Sequence, residues 1–119
     1  MSASRNQQVT YRRWRDHVLW CLILTVAFEA ATCFLRFGAD FQSTRDTAYL
    51  KAFTFGLRVH HGYIGLALLL TLPLFRRDRW LWPWVLRIGV ALVLSDLIHH
   101  VLVLWPATGS PQFDVFYPR

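Results

Sequence analysis

With 119 residues, 55 % of them hydrophobic, six tryptophans and a mean hydropathy of +0.30, the chain is too apolar and too aromatic-rich for an ordinary soluble domain of this size. Its net charge of +6 does not mark a nucleic-acid binder, because the basic residues sit in short clusters beside apolar segments instead of forming a stripe. Cys21 and Cys33 lie twelve positions apart in one expected helix, roughly 18 Å along its axis, which excludes a disulfide between them.

The pattern predicts a single domain of the all-α integral membrane class with three transmembrane helices. Residues 1–17 form a polar, basic segment, and the apolar run that follows has no small-residue cleavage site at the usual distance, so the first span (18–37) reads as a retained anchor. A polar loop over 38–51, with room for a short surface helix, leads to a second span at 52–75. The four-residue turn RRDR (76–79) makes that span and the third (80–105) an antiparallel hairpin, and residues 106–119 form a tail.

Arg5, Arg12, Arg13 and Arg15 precede span one, and Arg76, Arg77 and Arg79 fill the second turn, whereas the first loop and the tail are nearly charge-balanced. That asymmetry predicts the N-terminus in the cytoplasm and the C-terminus outside, with a bacterial inner membrane as the expected setting. Trp14, Trp20, Trp80, Trp82 and Trp84 then form an inner aromatic belt beside His17, while Trp105 and Tyr117 lie at the outer side. Arg87, about two turns inside the inner edge, snorkels to the interface or meets a lipid phosphate. Gly62, Gly65, Gly89 and Ala91 read as points of close helix packing.

The chemistry is concentrated in His60, His61, Asp96, His99 and His100. Counted outward from the RRDR turn at ~1.5 Å per residue, His60 and His61 rise about 22 Å and residues 96 to 100 about 22 to 28 Å, so both histidine pairs fall at one depth near the outer face. Asp96, His99 and His100 have i, i+3, i+4 spacing and are expected on one helical face. Glu29, four residues before Cys33 on span one, fits that depth less well and is a weaker member.

An ionisable side chain inside a bilayer costs on the order of 2.5 to 3.5 kcal/mol, so several at one level require compensation. A transition metal ion (Fe, Zn or Cu) supplies it, because neutral imidazoles and ionised carboxylates are its ligands; the expected set is His60, His61, Asp96, His99, His100 and Glu29. Without a metal, Asp96 would pair with Arg58, Glu29 with Arg36, and the histidines with one another. The cofactor alternative is haem b held between His60 and His99; a chlorin would need one histidine. Tyr63, next to the pair, either donates to the site or anchors at the interface. In a catalytic reading Glu29 or Asp96 serves as base and Arg58 anchors an anionic substrate group.

The stretch DLIHH resembles the HxxHH histidine boxes of membrane di-iron hydroxylases and desaturases, with Asp96 in the place of the first histidine, followed by His99 and His100. The likeness implies iron and oxygen chemistry. It covers five residues, and that family carries about twice as many histidines on the cytoplasmic side, so no family is assigned. The function expected from sequence is a small membrane metalloprotein, an enzyme or a metal-bearing subunit of a larger complex. The alternatives are a haem-binding electron-transfer subunit and a non-catalytic assembly subunit of a respiratory or photosynthetic complex. Three spans leave the wall of a site unbuilt, so lipid together with further copies or partner membrane subunits is expected around it, and no nucleic acid.

Overall fold

The computed structural model describes residues 2–40, 43–46, 48–57, 60–112 and 115–116, and these contain helices and no strands. Helix α1 (Ser2–Cys33) continues without a break into a π-helical segment, Phe34–Gly38. No glycine or proline precedes Gly38, which removes the usual helix breakers from the whole stretch. The short helix α2 (Ser43–Asp46) and a 3-10 segment (Ala48–Ala52) occupy the connecting loop.

Helix α3 (His61–Leu70) ends in a 3-10 segment, Leu72–Phe75, beyond Thr71, whose hydroxyl donates to the Leu68 carbonyl at 2.6 Å. Helix α4 (Leu81–Ile98) passes into a second π-helical segment, His99–Leu104, and ends in α5 (Trp105–Thr108), closed by Gly109 in the left-handed region.

Two stretches, Arg12–Gly38 and Leu81–Thr108, are long and apolar enough to cross a membrane. They cover the segments expected at 18–37 and, apart from Trp80, at 80–105. The second expected span is corrected: 52–75 is not one helix. Residues 53–56 form a turn in which Phe55 and Gly56 take positive φ and Thr54 Oγ1 donates to the Leu57 carbonyl at 2.6 Å, and Leu57 then bridges to Phe116. The hydropathy pattern cannot register this turn, because its residues are as apolar as the helix that follows. The depth expected for His60 and His61 survives because the 3-10 segment rises ~2 Å per residue and makes up what the shorter α-helix lacks. The expected polar residues 1–17 are helical from Ser2, continuous with the apolar part of α1.

Helix α4 is the centre of the molecule. It packs against α3 on one side and α1 on the other, and the RRDR turn does reverse the chain between α3 and α4. Asp78 in that turn accepts from the Leu81 and Trp80 amides at 2.7 and 2.8 Å, satisfying donors at the start of α4; those bonds hold its carboxyl below the usual range. A depressed carboxyl contributes stability that is present at neutral pH and lost as pH falls through its folded value.

The α3 and α4 backbones touch directly: a Cβ added to Gly65 would stand 2.6 Å from the Gly89 carbonyl oxygen, and one added to Gly89 would stand 2.9 Å from Leu69. At the turn end, Trp20 and Trp84 pack edge to face, and His17 sits between Trp14 and Trp82. Arg87 donates from Nε to His17 Nδ1 at 3.2 Å and lies 5.0 Å from the Trp84 ring and 6.0 Å from Trp20, so the expected belt also holds the Arg87 charge.

Burial is inverted relative to a water-soluble fold. Among the described residues the buried apolar side chains are Ala91 and Leu104, whereas Thr25, His60, Ser95, Asp96, His99 and His100 are buried polar ones. Val18, Leu19, Leu22, Ile23 and Val26 of α1 point outward. Gly65→Ala is expected to destabilise the detergent-solubilised protein by about 1–3 kcal/mol, because a backbone carbonyl cannot move aside. Leu70→Ala, on an exposed side chain, should shift the thermal midpoint far less.

Candidate metal centre

Gly62 creates the space in which the site forms. A Cβ there would lie 2.6 Å from Asp96 Oδ2 and 2.9 Å from Asp96 Cβ, so only a glycine lets Asp96 of α4 lie against the first turn of α3. His60, the extended residue that precedes α3, turns its ring inward beside Asp96. His100 follows Asp96 by four residues and completes a buried trio.

The trio is tight. His60 Nδ1 is 3.1 Å from His100 Nε2, and Asp96 Oδ1 is 3.5 Å from His100 Nε2 and 3.9 Å from His60 Nδ1. His61 reaches the same oxygen with Nδ1 at 3.3 Å. Despite three imidazole nitrogens at these distances, Asp96 Oδ1 has no hydrogen-bond partner among the described residues, and neither does His61 Nε2. These separations are those of ligand atoms around one ion: with metal–ligand bonds of ~2.0–2.1 Å, a tetrahedral edge is roughly 3.3 Å.

The protonation of His100 follows from its other nitrogen. Nδ1 lies 2.6 Å from the Pro111 carbonyl, which can only accept, so a proton is on Nδ1 and, when the ring is neutral, the Nε2 lone pair faces His60 and Asp96. A backbone carbonyl fixing the tautomer of an imidazole is the usual support for a metal-binding histidine. The tail that supplies Pro111 thus covers part of the site.

A second group forms on the neighbouring face of α4. Glu29 Oε1 is 3.0 Å from His99 Nδ1 and accepts from the Cys33 thiol at 3.2 Å, while Ser95 Oγ donates to Oε2 at 3.4 Å. The residues of the expected cluster thus fall into two adjacent groups, His60–Asp96–His100 and Glu29–Cys33–His99. Asp96 and His100 face α3, and His99 faces α1, because consecutive residues diverge by about 100° on a helix that has neighbours on both sides. The two groups remain close, with the His99 and His100 rings 5.8 Å apart.

Of the two histidines in the haem alternative, His60 meets His100 at 3.1 Å and His99 meets Glu29 at 3.0 Å. Tyr63 stacks edge-on against His60 at 5.1 Å with its own ring partly exposed. Arg58, the expected substrate anchor, and Tyr117 lie outside the described residues. Glu29 is met by Cys33, Ser95 and His99 in place of the Arg36 pairing that sequence allowed.

Cys33, Ser95 and the Pro111 carbonyl were missing from the sequence-derived set. Cys33 had a signal, its i+4 spacing from Glu29; Ser95 and Pro111 had none. No protein-family model, curated protein or solved structure matches the chain.

His100 is expected to be the Nδ1–H tautomer, observable in long-range 1H–15N correlation spectra of imidazole-labelled protein. Truncation after Gly109 should abolish that preference and, by analogy with lost outer contacts at other metal sites, weaken metal binding roughly 10- to 100-fold. An Nε2–H tautomer in the intact chain would contradict the assignment.

Proposed function

We propose that the protein is a small membrane metalloprotein in which His60, Asp96 and His100 bind one transition-metal ion near the outer face. The observation that carries this reading is Asp96 Oδ1: a buried carboxylate oxygen without a hydrogen-bond partner among the described residues, ringed by imidazole nitrogens at 3.3 to 3.9 Å. A divalent cation compensates that carboxylate.

Two imidazoles and one carboxylate form a donor set that Fe(II) and Zn both accept while keeping positions open to water, dioxygen or substrate. Such an ion lowers the pKa of bound water or activates oxygen. His61, largely buried and in contact with Asp96, is the side chain best placed to take or deliver a proton there, a role sequence had given to Glu29 or Asp96.

The three-span arrangement belongs to the same proposal, with α3 and its flanking segments as the middle crossing, the basic turn on the cytoplasmic side and the metal centre on the other. Its support is the exposed apolar surface of α1 and the polar interior, the distribution that a hydrocarbon solvent favours. Lipid and either copies of the chain or partner subunits then cover that surface.

The test is elemental analysis of protein purified in detergent without a metal-affinity tag. The Asp96→Ala, His100→Ala double variant is expected to lose one metal equivalent per chain relative to wild type. Equal metal content in the two proteins would sink the proposal.

A further inference from the structure

The second group is built from a different set of donors. Glu29 and Cys33 occupy successive turns of one face of α1, and His99 approaches them from α4; one ligand atom from each lies within 4.8 Å of the others. Ser95, fully buried, donates to the remaining oxygen of Glu29 and so orients the carboxylate from the α4 side. The site is thus completed only when α1 docks on α4.

The backbone independently marks the same place. One π-helical segment begins directly after Cys33, and the other begins at His99. Both helices widen where these three residues meet, and π-helical insertions in α-helices concentrate at functional sites. The backbone-to-backbone contact between α3 and α4 lies further along, at Gly65 and Gly89.

We propose that Glu29, Cys33 and His99 form a second, sulfur-containing metal site, taking a divalent ion of the zinc class beside the His60–Asp96–His100 site. The thiol is the distinguishing ligand: on binding, the Cys33 S–H bond breaks, its proton leaves to solvent, and the sulfur lone pair forms the metal–thiolate bond, with no change of oxidation state. Thiolate, imidazole and carboxylate are all zinc ligands, and three of them leave a position for water. The two sites share the helical step from His99 to His100, so the chain would carry two metals on one helix. This inference does not depend on the first site being occupied.

Cobalt(II) is the probe, because thiolate coordination gives it a sulfur-to-metal charge-transfer band that nitrogen and oxygen ligands do not produce. Titration of metal-depleted, reduced protein in detergent with cobalt chloride is expected to raise that band, and in Asp96→Ala, His100→Ala to bring it to saturation at one equivalent per chain. The band should survive in Asp96→Ala, His100→Ala and in Cys21→Ser, whose thiol lies near the Arg87 carbonyl, and disappear in Cys33→Ser. Cys33→Asp, which keeps an anionic ligand, should still bind cobalt but without the band.

Absence of the band in wild type, or its persistence in Cys33→Ser, overturns the proposal. If Cys33→Ser does not purify as a single species, Cys33→Asp decides by the same criterion. Equal metal content in wild type and Asp96→Ala, His100→Ala together with an intact thiolate band would refute the first site and leave this one standing.

Discussion

Asp96 is an ionisable carboxylate at 5 % exposure between two predominantly apolar helices, and its neutralisation governs the arrangement around it. On membrane insertion scales such a group costs on the order of 2.5 to 3.5 kcal/mol, comparable to a substantial share of a small protein's net stability. Three imidazoles converge on it, Gly62 gives up its side chain to admit it, and Pro111 sets the proton on His100 so that a lone pair points inward. A carboxylate in a low-dielectric interior needs a proton or a cation beside it. The metalloprotein reading supplies the cation.

The position of α4 explains why the polar residues divide. With α1 on one side and α3 on the other, any polar residue of α4 must find its partner on one of two faces. Asp96 and His100 face α3; Ser95 and His99 face α1, where Glu29 and Cys33 wait. The same helix carries the Arg87 and tryptophan cluster toward the turn end, so charge is accommodated by aromatic faces at that end and by imidazoles at the other. Between them lies the glycine contact of Gly65 with Gly89, which sets how closely the ligand-bearing helices approach.

Much of this was legible from sequence because depth along a helix follows from residue counts. The equal depth of His60 and His100, the reversal at RRDR and the association of Trp20 with Trp84 follow from a fixed rise per residue and from the preference of tryptophan for span ends. Azimuth was less legible. The i, i+3, i+4 spacing of Asp96, His99 and His100 describes a broad face, and whether that face divides depends on how many helices surround it, which no local pattern encodes. The turn at Phe53 to Gly56 escaped for a related reason: its apolar residues satisfy a hydropathy window whether or not the backbone is helical. Pro111 acts through its backbone carbonyl, a group every residue possesses, so its identity carried no signal.

X-ray absorption at the edge of the metal found in the purified protein is the most direct test that His60, Asp96 and His100 bind it. The account predicts nitrogen and oxygen scatterers at ~2.0–2.1 Å for zinc, with the outer-shell scattering of imidazole rings, and a smaller imidazole contribution in His60→Ala, His100→Ala. A first shell of water oxygens alone, or a spectrum unchanged by that double substitution, would contradict it.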